Sequence, residues 1–153
     1  MMRFISALAF ALALALAAIL LPVVQGGHIA HAANGGHTTQ TVALRREDCT
    51  TNGGATVGTA RFALSDQGGQ PGGLEIDVAL TAGLPRSSYS VSVLGTPCQM
   101  LFSGGTLTTD DRGRGDLSVH VPANVVPAGT SLRVQVVAPA NADVLTSDPT
   151  SSM

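Results

Sequence analysis

Hydrophobic residues recur at every second position along much of the chain. The segment 74–80, LEIDVAL, places leucine, isoleucine, valine and leucine at alternate positions, and 89–93, YSVSV, repeats the pattern with tyrosine and two valines. An alternation with a period of two sets one row of side chains on each face of a β-strand. Both segments are therefore expected to be strands that bury one face and expose the other.

The same alternation, bounded by turn-forming residues, predicts seven short strands. They are Thr41–Arg45, Val57–Leu64, Leu74–Leu80, Tyr89–Leu94, Met100–Leu107, Leu117–Val121 and Leu132–Val137. Short strands joined by glycine- and proline-containing turns, without helices between them, are typical of two packed antiparallel sheets. The predicted fold class is all-β: an antiparallel immunoglobulin-like β-sandwich of about seven strands, preceded by a helical signal peptide.

The first 32 residues have the features of a signal peptide. Arg3 precedes the unbroken apolar run Phe4–Leu21, and the sequence AHA at 30–32 fits a signal-peptidase site before Ala33. No cysteine lies near that site to accept a lipid. We therefore expect export by the general secretory route and a secreted, extracellular protein. The alternative is an uncleaved anchor, because Phe4–Val24 is about as long as the ~20 apolar residues that cross a bilayer.

Composition divides the chain into four parts. Residues 1–32 are the predicted signal peptide, and 33–39 (ANGGHTT) form a flexible glycine-rich arm. Residues 40–140 are the predicted β-sandwich domain. The polar residues 141–153 are predicted to be a disordered tail.

Cys49 and Cys98 are the only two cysteines of the chain. In an exported protein an even pair indicates a disulfide. A metal or redox pair usually shows CxxC spacing or nearby histidines, and neither is present. We predict a Cys49–Cys98 disulfide, which closes a loop of about 50 residues and contributes roughly 4 kcal/mol by the chain-entropy treatment.

Charge is sparse. Charged residues make up 12% of the chain and lysine is absent. From Ala33 onward, seven arginines stand against ten acidic residues, a net charge of −3. A chain of this kind lacks the basic footprint for nucleic acid or an anionic membrane surface. Neither is an expected partner, unless the leader stays attached and tethers the domain to a membrane.

Candidate metal ligands are few, and we expect no metal cofactor. His28, His31 and His37 are spaced as metal ligands often are, but the predicted cut leaves only His37. Three carboxylates, Asp110, Asp111 and Asp116, cluster in DDRGRGD, where two interleaved arginines oppose a cation. A polar turn explains that cluster more simply. If a metal were bound, these carboxylates with His37 and His120 are the residues that it would use.

Catalytic motifs are absent. The sequence contains no GxSxG, no HExxH, no glycine-rich loop followed by Lys-Ser/Thr, and no lysine for Schiff-base chemistry. His120 alternates with Leu117, Val119 and Val121, so it is expected on the solvent face. Glu75 and Asp77 share the outward face of their strand. We do not expect an enzyme.

Several strand and turn motifs carry a resemblance. GTARFAL at Gly58–Leu64, LEIDVALTAGLP at Leu74–Pro85 and TLTTDDRGRG at Thr106–Gly115 resemble small exported bacterial immunoglobulin-like β-sandwich domains of uncharacterised function. A more distant similarity is to CHRD domains. Their His-x-His segment is missing, since Ser88–Leu94 reads SYSVSVL, so no metal role carries over. The resemblance implies an immunoglobulin-like architecture only.

The expected function follows from an exported, cross-linked scaffold without catalytic motifs. We predict a secreted, non-enzymatic binding or structural module of the cell envelope or extracellular space, which binds an extracellular protein or an envelope polymer through loops or a sheet edge. The alternatives are a small exported metal-binding protein and a domain tethered by an uncleaved N-terminal helix.

Overall fold

The computed structural model describes residues 38–51, 53–67 and 70–152. These residues form eight β-strands and a short 3₁₀ turn over Pro139–Asn141. The strands are β1 (Thr39–Arg45), β2 (Thr56–Gln67), β3 (Gln70–Leu80), β4 (Ser88–Gly95), β5 (Gln99–Thr108), β6 (Gly115–Val121), β7 (Leu132–Val137) and β8 (Val144–Ser147). The predicted signal peptide and the arm as far as His37 lie outside the described residues. Among the described residues, no helix is long and apolar enough to span a membrane.

All eight strands belong to one antiparallel sheet. The strand order is β5-β4-β7-β8-β1-β2-β3-β6, and the sheet curves until it is nearly a barrel. The all-β, antiparallel prediction is confirmed, and each of the seven predicted strands is present. The separation into two sheets is not seen in the hydrogen bonding, because β1 pairs with both β2 and β8 and so joins the two halves.

The expectation of a disordered tail does not hold for residues 141–152. Strand β8 lies between β7 and β1, and its Leu145 is completely buried. Beyond it, Thr150 continues the contact: its N–H donates to the Leu132 carbonyl, and its hydroxyl accepts the Leu132 N–H. The sequence did not indicate a strand because β8 has only four residues, too few to show an alternation.

The core occupies the concave side of the sheet. It is built from aliphatic residues of every strand, with Phe62 and Tyr89 as its largest fully buried side chains. The two outermost strands, β5 and β6, meet across this core. A Cβ atom built on Gly104 of β5 would touch Val119 of β6, and one on Gly115 would overlap the Thr108 carbonyl oxygen. Glycine at these two positions therefore lets the strands approach closely.

The antiparallel pairing sorts the connections into two ends. Connections 81–87, 109–114 and 138–143 meet at one end, which we call the closed end. Connections 96–98 and 122–131 meet at the opposite end, which we call the apolar end. The connection 46–55 begins at the closed end. Its Cys49 is bonded to Cys98, so the disulfide ties this connection to connection 96–98.

Candidate functional site

A buried polar network seals the closed end. Tyr89 is fully buried; its hydroxyl accepts the Leu84 N–H at 2.6 Å and donates to Asp143 Oδ2 at 3.0 Å. Arg46 Nε donates to Asp143 Oδ1 at 2.9 Å, and its Nη2 donates to the Ala82 carbonyl at 2.8 Å. Burial raises the pKa of the Tyr89 phenol. No buried side-chain polar atom of Tyr89, Asp143 or Arg46 lacks a partner, which indicates a structural role for the network.

Backbone hydrogen bonds join the two neighbouring connections of the closed end. Arg86 N–H donates to the Asp110 carbonyl, and Gly83 N–H donates to the Gly113 carbonyl. The Thr109 hydroxyl donates to the Leu84 carbonyl at 2.6 Å. These contacts fix connection 81–87 against connection 109–114.

The predicted carboxylate cluster is a turn. Asp110 Oδ1 accepts the backbone N–H groups of Arg114 at 2.9 Å and Arg112 at 2.8 Å, and these bonds lower the Asp110 pKa. Asp111 and Asp116 are exposed. Across residues 38–51, 53–67 and 70–152, no three His, Cys, Asp or Glu side chains come together to hold a metal. The candidate ligand His37 lies outside those ranges.

The outer face of β2, β3 and β6 carries a ladder of polar side chains. Arg61 Nη1 and Ser118 Oγ donate to the two Asp77 oxygens at 3.0 and 2.7 Å. His120 Nδ1 lies 3.3 Å from Glu75 Oε2. His120 faces solvent as predicted, with 52% of its side chain exposed. Ion pairs this exposed are ordinary surface contacts.

The predicted disulfide is present. Cys49 and Cys98 are joined with a Cα–Cα distance of 6.0 Å. They connect parts of the sheet that are not neighbours, because β7 and β8 lie between β4 and β1. The bond therefore holds connection 96–98 to connection 46–55, whose neck is closed by the Arg46 N–H to Ala55 carbonyl bond at 2.9 Å.

The apolar end collects hydrophobic side chains that the core covers only in part. Eight partly buried hydrophobic residues pack against the core, and five of them lie at this end: Leu64, Leu101, Phe102, Val125 and Val126. Met100 lies beside them and is 65% exposed, the largest exposure of a big hydrophobic side chain among the described residues. These side chains form the strongest candidate for a functional surface.

Charge is distributed in the opposite way. The sequence contains no charged residue from 95 to 109 or from 121 to 132, the stretches that build connections 96–98 and 122–131. The connections of the closed end carry Arg86, Asp110, Asp111, Arg112, Arg114 and Asp143. Connections 96–98 and 122–131 are therefore suited to an apolar contact. Charged residues adjoin them at Arg133, beside Leu132, and at Asp48, beside Cys49, which is bonded to Cys98.

One feature of the sequence indicates this surface, although the alternation that predicts the strands does not include it. Connection 122–131 reads PANVVPAGTS, with two adjacent valines between prolines. In the structure the Val125 N–H donates to the Pro122 carbonyl and the Thr130 N–H donates to the Pro127 carbonyl. These two tight turns leave the valines against the core edge. Valine pairs in a turn-rich loop are therefore a cue for a surface of this kind.

Comparison of the chain with protein-family models, with curated proteins and with solved structures finds no match.

Proposed function

We propose that this protein is a secreted, non-enzymatic module that binds another extracellular protein through its apolar end. The observation that carries the proposal is the separation of the connections: those at one end are uncharged and partly apolar, and those at the other carry the charges. Uncharged connections together with methionine, valine and phenylalanine side chains have the composition of an interface core. An apolar partner surface is favoured over a charged envelope polymer for the same reason.

The rigidity of the apolar end supports this proposal. Cys98 is covalently tied to Cys49, and Thr96 Oγ1 donates to the Ser131 carbonyl at 3.2 Å, which links connection 96–98 to connection 122–131. A surface whose loops are held in place loses little conformational entropy when a partner binds. The cross-link therefore favours binding as well as stability.

We infer an extracellular location from the same bond. A disulfide is the form expected in an oxidising compartment. The apolar N-terminal run with its small-x-small site supports export and cleavage before Ala33. Tethering through an uncleaved helix is the alternative that an intact-mass measurement distinguishes.

We also infer an immunoglobulin-like architecture with permuted chain order. Strands β6, β3 and β2 correspond to B, E and D, and the series β5, β4, β7, β8, β1 corresponds to G, F, C, C′ and C″. Tyr89, at the start of the strand matched to F, bonds back to the Leu84 N–H as a tyrosine corner does. The chain ends then fall between C′ and C″. The Cys49–Cys98 bond does not correspond to the B–F disulfide of antibody domains.

The binding proposal is tested by charge at the apolar end. Met100→Glu places a carboxylate on an exposed side chain, so it should leave folding intact while disrupting an apolar contact. Arg112→Glu, an exposed change at the closed end, is the matched control. In the producing cells, wild-type protein and Arg112→Glu should be retained with a surface partner, and Met100→Glu should be released into the medium.

Site-specific photo-cross-linking identifies the contact directly. A photoreactive amino acid at position 100 should yield one defined protein adduct, and the same group at position 112 should not. Equal retention of Met100→Glu and wild type, with no adduct from position 100, would contradict the proposal. Stoichiometric metal in purified protein would favour the metal-binding alternative instead.

A further inference from the structure

Strand β6 is a regular edge of the sheet. It pairs with β3 over all seven of its residues without a register shift, and among residues 38–51, 53–67 and 70–152 no strand pairs with its other side. The opposite edge strand, β5, has two register shifts against β4. Bulges of that kind protect an edge from further pairing, whereas a regular edge without proline or lysine does not. The unprotected edge is therefore β6.

Strand β5 approaches β6 without pairing with it. Alternate residues of β6 face the core: Gly115, Leu117, Val119 and Val121. The contacts between β6 and β5 are made from this inner face. A Cβ on Gly115 points at Thr108, and Val119 contacts Gly104. No backbone hydrogen bond joins the two strands in the described part of the chain. The hydrogen-bonding groups on the free side of β6 remain unpaired by β5.

We propose that β6 pairs with β6 of a second copy of this chain, antiparallel and centred on Ser118. The sequence of β6, GDLSVHV, is complementary to itself in this arrangement. Asp116 lies opposite His120 of the second copy, and Leu117 lies opposite Val119 of the second copy. A two-fold axis repeats both contacts, so each is made twice.

The contact between Asp116 and His120 of the second copy lies on the outer face, and it is the contact that favours a second copy as the partner. Asp116 is exposed and makes no ion pair or hydrogen bond within the described residues. His120 is exposed and keeps its carboxylate neighbour Glu75. A carboxylate opposite an imidazole on adjoining strands is favourable, and like charges in the same positions are not. On the inner face, partly exposed Leu117 gains an apolar neighbour.

Cross-linking tests the register. In an antiparallel pair directly opposite residues lie about 4.5–5.5 Å apart at Cα, within the range that a disulfide spans. Ser118→Cys is therefore expected to form a covalent dimer under mild oxidation. The control is Thr59→Cys, which is exposed on the same outer face but lies on β2, two strands from the edge. It should remain monomeric. The native Cys49–Cys98 bond is checked by peptide mapping in both variants.

Exchanging the charges at positions 116 and 120 tests the contact between Asp116 and His120. By sedimentation equilibrium, Asp116→Arg and His120→Glu should each weaken dimerisation of the otherwise native chain roughly tenfold or more. His120→Glu sets two carboxylates opposite each other in both contacts, and Asp116→Arg replaces the carboxylate opposite the imidazole with a cation. The double variant should restore dimerisation, because arginine then faces glutamate. Circular dichroism confirms that each variant is folded. A wild-type chain that stays monomeric, equal cross-linking of the two cysteine variants, or a double variant no better than the singles would overturn the proposal.

Discussion

The Tyr89 hydroxyl donates a hydrogen bond to Asp143, 54 residues further along the chain, and both side chains are buried. The same hydroxyl accepts the Leu84 N–H, so one oxygen atom on β4 joins two connections of the closed end. Asp143 in turn receives Arg46. The strands β4 and β8 and the corner between β3 and β4 are thus fixed to each other by side chains in addition to the sheet.

Tyr89→Phe is expected to destabilise the fold by about 2 kcal/mol. It leaves the Leu84 N–H without its partner and leaves Asp143 Oδ2 with only the 3.5 Å bond from Arg46 Nη2. The measurement is the free energy of unfolding in urea. Combining Tyr89→Phe with Asp143→Ala should cost less than the sum of the single changes, since both remove one bond.

Arg61→Ala is the matched contrast. It breaks an exposed ion pair with Asp77, and such pairs contribute about 0–1 kcal/mol to the free energy of unfolding. If Tyr89→Phe cost no more than Arg61→Ala, the closed end would not be held by the buried network.

Reduction of Cys49–Cys98 is expected to lower stability by roughly 4 kcal/mol, because the unfolded chain gains the freedom of a loop with a sequence separation of 49. Unfolding of the Cys49→Ser/Cys98→Ser variant in urea measures the loss.

The intact mass of the exported protein should correspond to a chain that begins near Ala33, and it should increase by two hydrogens on reduction. A mass that begins at Met1 would support the tethered alternative, and a mass unchanged by reductant would show that the bond does not form.

Alternation along the sequence was sufficient to predict the seven longer strands, because each buries one face. It was not sufficient for β8, where Val144 and Leu145 are followed by Thr146 and Ser147, which are polar and fully buried. Burial there comes from neighbours on both sides, a property that no local pattern encodes. The joining of both halves into one sheet depends on this missed strand.

The disulfide was predictable because the chain has only two cysteines. The apolar end was not, because its side chains come from strand ends that are distant in sequence, such as Leu64 and Phe102, together with a loop. Each residue alone resembles ordinary core. Their shared partial exposure appears only when the antiparallel order brings them to one end.

Gly115→Ala is expected to destabilise the fold by about 2–3 kcal/mol, because the added methyl group meets the Thr108 carbonyl and must push β5 from β6. Gly105→Ala is the control: its φ of +108° disfavours a side chain, but nothing lies within contact of the new atom. It should cost about 1 kcal/mol. Equal thermal shifts for the two variants would mean that the approach of β5 and β6 is not tightly constrained.

Asp110 should make the fold sensitive to acid. Backbone N–H groups of Arg114 and Arg112 stabilise its carboxylate, so its pKa is lower in the folded protein than in the unfolded chain. A lowered folded-state pKa contributes stability that is present above the unfolded pKa of about 4 and is lost as the pH falls through the folded value. Asp110→Asn should therefore be less stable than wild type at pH 7, and the difference should shrink towards zero in acid.

The control is Asp111→Asn, at an exposed neighbour that accepts no hydrogen bond in the described structure. It should show no such pH-dependent difference. Urea unfolding across this pH range measures both, and a gap between Asp110→Asn and wild type that persists unchanged below pH 3 would show that the charge on Asp110 does not hold the turn.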